Sequence, residues 1–222
     1  MKKQFLAGLL TMGAILQTQA AIYSSGNVNG SGTSLNLAIP DGNPNGLFTT
    51  IAVSGAAATL THVNVTLNIS GGYNGDLYGY LSYNGTLVTL LNRVGTGGGD
   101  PFGYSTAGFS NITLSDGSAM NIHDVANPVS SPTTYNPDGG SLAGFNGGNP
   151  NGTWTVFFAD LSGGAVSTLN GWSLDLTAVP EPVNAALVLS GGLLGLLSLG
   201  RWGLKRRGNR LMKAAGHVPP FQ

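Results

Sequence analysis

His62-Val63-Asn64-Val65-Thr66-Leu67-Asn68-Ile69-Ser70 sets Val63, Val65, Leu67 and Ile69 at every second position, with polar residues between them. Successive side chains of a strand point to opposite faces, so this segment predicts a half-buried strand. Working outward, 77–82 and 86–91 are two further strands. Asn84-Gly85 between them supplies the positive φ angles of a tight hairpin. Later, 153–158 places Trp154, Val156 and Phe158 on one face, and 168–177 does the same with Trp172, Leu174 and Leu176. Asn149-Pro150-Asn151-Gly152 and Asn170-Gly171 read as turns that punctuate these strands. No window carries a 3.6-residue apolar period with capping residues. The pattern predicts an all-β domain, a jelly-roll-like β-sandwich.

Both ends of the chain read differently. Residues 1–20 combine Lys2-Lys3, an apolar run from Phe5 to Leu16 and the small-residue exit Thr18-Gln19-Ala20, the three parts of a secretory signal peptide. Signal peptidase is expected to cut after Ala20, leaving 21–178 as the folded domain. From Val183 to Leu199 the chain is apolar apart from Asn184, Ser190 and Ser198, and Trp202 with Lys205-Arg206-Arg207 follows. A helix over 183–202 matches the hydrocarbon thickness of a bilayer, and Arg201, Lys205, Arg206 and Arg207 form a basic stop on the cytoplasmic side. Gly191, Gly192 and Gly195 are tolerated in membrane helices.

Charge separates along the same boundaries. Of nine Lys and Arg, only Arg93 lies inside the domain, against eight aspartates, so the domain carries a net charge of −7 while the whole chain sums to zero. An acidic domain lacks the electrostatic term behind nucleic-acid affinity, which excludes DNA and RNA as partners. The absence of Cys excludes disulfide staples and thiolate chemistry.

Val179-Pro180-Glu181-Pro182, followed by the apolar run and the basic cluster 205–210, resembles the PEP-CTERM sorting signal over 179–210. That resemblance implies an exosortase as processing partner, an inner-membrane-anchored precursor, and delivery to the cell surface or extracellular matrix. The tail 211–222 extends past the point where such signals usually stop.

The domain in turn resembles the P/Homo B domain, the β-sandwich beside the catalytic domain of subtilisin-like proprotein convertases. The matching residues are Ala38-Ile39-Pro40-Asp41-Gly42, the strand 63–69, Gly75-Asp76-Leu77, Asn84-Gly85-Thr86, Leu90-Leu91-Asn92-Arg93, Asn151-Gly152-Thr153-Trp154-Thr155-Val156, Asp160 and Leu169-Asn170-Gly171-Trp172-Ser173-Leu174. The stretch 115–137 matches poorly. The resemblance implies a non-catalytic domain that packs on a protease.

The residues themselves argue against an enzyme. The domain offers only His62 and His123 as imidazole bases, and His62 sits on the polar face of its strand. Gly32-Thr33-Ser34 echoes a subtilisin nucleophile segment but lies in a Gly/Ser/Asn-rich leader with no base segment. No Gly-x-Ser-x-Gly elbow occurs, and the domain has no Glu to pair with Asp for glycoside hydrolysis. Asp41, Asp76 and Asp160 each adjoin a turn and match the family pattern. They are candidate ligands for calcium, which selects carboxylate and carbonyl oxygens. The alternative is that they only close Asx-turns. Tyr78 and Tyr80 share one strand face and are candidates for stacking on a sugar, against a plain packing role.

The expectation is an exported surface or extracellular-matrix protein with a non-catalytic structural or binding module. The alternatives are a polysaccharide-binding module and an accessory domain acting in trans on a subtilisin-like serine endopeptidase.

Overall fold

The computed structural model describes residues 18–130 and 133–181. Within them lie strands β1 (Gln19–Gly26), β2 (Leu37–Ile39), β3 (Asn43–Val53), β4 (Thr59–Gly71), β5 (Leu77–Tyr83), β6 (Thr86–Asn92), β7 (Phe109–Ser115), β8 (Thr134–Tyr135), β9 (Gly152–Asp160) and β10 (Ser167–Val179). Short 3₁₀ turns fall at Asn74–Asp76, Ile122–Asp124 and Leu142–Phe145. The expected signal helix and membrane helix, Pro182 and the basic residues Arg201, Lys205, Arg206 and Arg207 lie outside the described residues. No helix among the described residues is long and apolar enough to cross a membrane.

The architecture is all-β, in two sheets. One runs β1-β10-β4-β7-β8, with β2 also paired to β10; the other runs β3-β9-β5-β6. Every pairing is antiparallel except β7 with β8. The alternation that begins at His62 is the reason the larger sheet has a dry side: Val63, Val65, Leu67 and Ile69 are all buried. β10 lies beside β4 with Trp172 opposite Leu67 and Leu174 opposite Val65. From the smaller sheet Leu77, Leu81, Trp154, Val156 and Phe158 join the same buried cluster, so the apolar faces of the two sheets share one core.

Asn84 and Gly85 have φ of 47° and 80°, and Tyr83 pairs with Thr86 across them, the two-residue hairpin that the sequence predicts. Asn149 closes an Asx-turn by accepting the Asn151 N–H at 2.9 Å. Asn170-Gly171 departs from expectation. The pair is not a turn but an interruption of register inside β10, between Leu169 and Gly171: β4 runs past it on one side, while on the other β2 pairs as far as Leu169 and β1 takes over at Gly171, so the backbone stays in the sheet.

β1 begins inside the segment expected to be removed. Its ladder with β10 begins at Gln19 opposite Ala178, and the Gln19 side chain accepts the Ala57 N–H at 3.1 Å. Cleavage after Ala20 would shorten this strand by two exposed residues and leave the ladder from Ala21 onward. The two ends of the sandwich are therefore neighbours, β1 starting where β10 stops.

Candidate functional site

Asp41, Asp76 and Asp160 fall at one end of the smaller sheet. Asp160 ends β9, with Leu77 opposite it on β5 and Asn43 opposite it on β3, so the acids just before those two strands are its neighbours. Asp76 and Asp160 are the two buried charged residues among the described ones, 5% and 0% exposed. Ser162 acts on both: its N–H donates to Asp160 Oδ1 at 3.2 Å, and its hydroxyl favours the ionised Asp76 carboxylate.

Burial pushes the Asp76 carboxyl above its usual range, opposed by the Ser162 hydroxyl and by Arg93 and reinforced by Asp41. Burial also raises Asp160, opposed by the Ser162 N–H, reinforced by the charges of Asp76 and Asp41, and opposed again by the Gly42 N–H. Asp41 itself is exposed. Both its oxygens accept the Gly164 N–H at 3.1 Å, which makes it an anchor for the loop after β9. No three His, Asp or Glu side chains among the described residues are grouped as a metal shell of such groups requires. Of the three candidate acids, Asp76 and Asp160 are buried at this end of the sheet, and Asp41 holds a backbone amide.

Arg93, Ser162 and Asn74 were not singled out for this site by sequence reasoning. Arg93 has a positive φ of 50° and donates to Gly75 O at 3.2 Å, Pro101 O at 3.1 Å and Ser162 Oγ at 3.3 Å. As the lone basic residue among eight aspartates it was the available signal.

The imidazoles are occupied structurally. His62 Nε2 lies 2.9 Å from Asn64 Oδ1 on the polar face of β4. His123 Nδ1 lies 3.0 Å from Asp138 Oδ2, and its Nε2 lies 2.9 Å from Thr96 O. Both partners are acceptors, so the arrangement suits an imidazolium donating from both nitrogens. A base whose Nε2 is already bound to a main-chain carbonyl has no nucleophile to activate. Ser34, for its part, bonds to Asn170 Oδ1 at 3.1 Å.

The hydrogen bond to Asp138 raises the His123 pKa above its ordinary 6.5, burial opposes the rise, and the Thr96 carbonyl and the charges of Asp138 and Asp124 add to it. The folded state thus holds this proton more tightly than the unfolded chain. Its contribution is complete below about pH 6.5 and is lost as pH climbs through the folded value. We expect the thermal midpoint of the full-length protein to fall over that range by the equivalent of about 1 kcal/mol, given partial exposure. His123→Gln and Asp138→Asn should both flatten the profile; an unchanged slope in both would refute the assignment.

Tyr78 and Tyr80 lie on the outer side of the smaller sheet. Tyr80 stacks on Phe157 with centroids 5.0 Å apart and planes at 19°, while Tyr78 meets Tyr80 edge-on at 6.3 Å and 64°. Two coplanar rings side by side need roughly 6 Å or more, a ring width plus a van der Waals contact. Tyr80 and Phe157 therefore cover each other's faces, and the pair Tyr78/Tyr80 does not form a flat platform.

Of the sorting motif, Val179 is the last residue of β10, and Pro180 and Glu181 follow in irregular chain, Glu181 exposed.

No protein-family model and no curated protein matches the chain. Among solved structures, a chain of the Aeromonas sobria serine protease–chaperone complex matches with a TM-score of 0.45 at 15% identity, over 74% of this chain and 28% of that one. The Aeromonas sobria serine protease matches with a TM-score of 0.47 at 16% identity, again over 74% of this chain and 28% of that one. This chain thus corresponds to well under a third of the length of each.

Proposed function

We propose that this chain is exported, sorted by an exosortase through Val179-Pro180-Glu181-Pro182, and displayed at the cell surface as a non-catalytic β-sandwich module of the P/Homo B type. The observation that carries this reading is the way β10 ends. Pro180 has no N–H to continue the ladder, so the backbone leaves the sheet one residue into the motif, and Glu181 stands in solvent. A processing enzyme needs such an extended, accessible segment, and it could cut there without disturbing the core. β1 begins beside this exit, at Gln19 opposite Ala178, so signal-peptide removal and sorting both act at one end. The remaining surface is left free for binding.

The use of His123 in a structural pair and of Ser34 in a side-chain bond supports a module without hydrolytic activity. The test is to follow the full-length chain in an exosortase-bearing host, by mass and by cell fractionation. The expected result is a shortened product outside the inner membrane for the native sequence, and a full-length membrane-bound product when Pro180, Glu181 and Pro182 are all replaced by Ala. Processing of the triple variant like the native chain would overturn the sorting reading.

A further inference from the structure

Three aspartates and one arginine make up the ionised groups at the end of the smaller sheet, an uncompensated excess of negative charge in which two members are buried. A buried carboxylate is costly unless it is paired or fully hydrogen-bonded. Arg93 does not pair with any of them, since its guanidinium donates to Gly75 O, Pro101 O and Ser162 Oγ. The one ion pair among the described residues is His123–Asp138, a separate feature.

Three other aspartates differ. Asp100 accepts the N–H groups of Phe102 and Gly103, Asp116 those of Leu142 and Ala143, and Asp138 that of Asn92. At Asp160, Oδ2 is fully buried and makes no hydrogen bond of ordinary geometry, the Gly42 N–H being the least of the influences on this carboxyl. Asn74, two residues before Asp76 in the same 3₁₀ turn and 1% exposed, likewise buries a side-chain oxygen without a partner, although its amide nitrogen is held by Thr106 Oγ1 at 3.2 Å. Unpartnered buried acceptors in one corner, under excess negative charge, call for a bound positive species.

We propose that this corner binds a divalent cation of the calcium type, with Asp76 and Asp160 Oδ2 as its acidic ligands and the Asn74 side-chain oxygen as a neutral one. The donors are all hard oxygens, with neither sulfur nor imidazole among them, which favours calcium over zinc or copper. Two carboxylates complemented by neutral oxygens and water suit a weak extracellular site, in the range of about 0.1–1 mM. Asp41 acts beside the ion by holding Gly164, so the cation and Asp41 together fix the loop between β9 and β10.

The experiment uses the full-length protein in detergent, freed of metal by chelator and melted with and without millimolar calcium chloride. A ligand that binds only the folded state raises the midpoint, and a rise of several degrees is expected. Asp76→Asn and Asp160→Asn should abolish the rise yet still fold in chelator, because each removes a buried charge at constant shape. Asp41→Asn, which removes a neighbouring charge but no proposed ligand, should diminish the rise without abolishing it. Should both amide variants fail to fold, terbium luminescence sensitised by aromatic residues of the native protein reports the site directly, with calcium as competitor. Absence of any calcium-dependent rise in the native protein, or a rise undiminished in the two folded amide variants, would overturn the proposal. So would stabilisation that follows falling pH alone, since protons would then neutralise these carboxyls.

Discussion

Replacing Trp154 by alanine is expected to lower stability by about 3–5 kcal/mol, enough to shift the thermal midpoint by roughly 10 °C or more in a domain of this size. Trp154 is completely buried, and its indole stacks on Tyr83 with centroids 4.1 Å apart and planes at 4°. It also meets Phe145 at 5.1 Å, and its Nε1 donates to Pro150 O at 2.9 Å. Alanine would leave a cavity bordered by two aromatic rings and an unpaired carbonyl. Trp172 supplies the comparison. It is equally buried, but its Nε1 meets no acceptor, so a phenylalanine there loses volume without losing a hydrogen bond. Thermal melts of the full-length protein in detergent should therefore rank Trp154→Phe below Trp172→Phe. The opposite order would show that the indole bond to Pro150 contributes nothing.

The second large effect is expected at Gly171. A Cβ built there would sit 2.5 Å from Asn27 O, 2.6 Å from Asn27 N and 2.8 Å from Asn27 C. All three are backbone atoms and cannot swing aside as a side chain can. Asn27 is itself held by its own N–H to Asn170 O at 2.9 Å and by Asn68 Nδ2 donating to its carbonyl at 2.8 Å. Gly171→Ala must break this packing, at a cost of about 1–3 kcal/mol, and the damage should centre on β1. Gly163→Ala is the control, because nothing lies within 4 Å of its would-be Cβ. Hydrogen exchange should show faster exchange of the β1 amides in Gly171→Ala and unchanged exchange in Gly163→Ala. Equal protection in both would mean that β1 does not approach β10 this closely.

The same dipeptide shows how far local sequence carries. Asn84-Gly85 takes two positive φ angles and makes a hairpin, whereas Asn170-Gly171 stays inside a strand, because β4 runs past it on one side and β2 and β1 hold β10 just before and just after it on the other. Nothing within a few residues of either pair separates the two outcomes. β4, β5, β6, β9 and most of β10 were legible because large apolar residues recur at every second position along them, as in Val63-Val65-Leu67-Ile69 and Trp154-Val156-Phe158, even where a neighbour such as Leu91 or Ala159 is buried too. β7 was not: Phe109 and Ile112 are both buried but three positions apart, because Asn111 at φ 53° inserts a bulge. β3 buries Ile51 and Val53 only at its far end, after a start containing Pro44 and Gly46. β1 has little apolar burial and is held by its ladder to β10. The three aspartates near turns could be picked out from sequence. That Asp41 would be taken by Gly164, and that Ser162 would gather the other two, depends on how β3, β5 and β9 align.

β10 exchanges hydrogen bonds with β1 along one side and β4 along the other for most of its length, and it is also the strand that leads to Pro180. A pull applied from beyond Val179 therefore enters the sheet between two ladders and runs parallel to them. Loaded in that direction, the bonds of both ladders are sheared together rather than peeled one after another. Shear geometry resists force better than unzipping, so a load entering through the segment after Val179, as the proposed sorting would bring it, falls on the strand best placed to bear it.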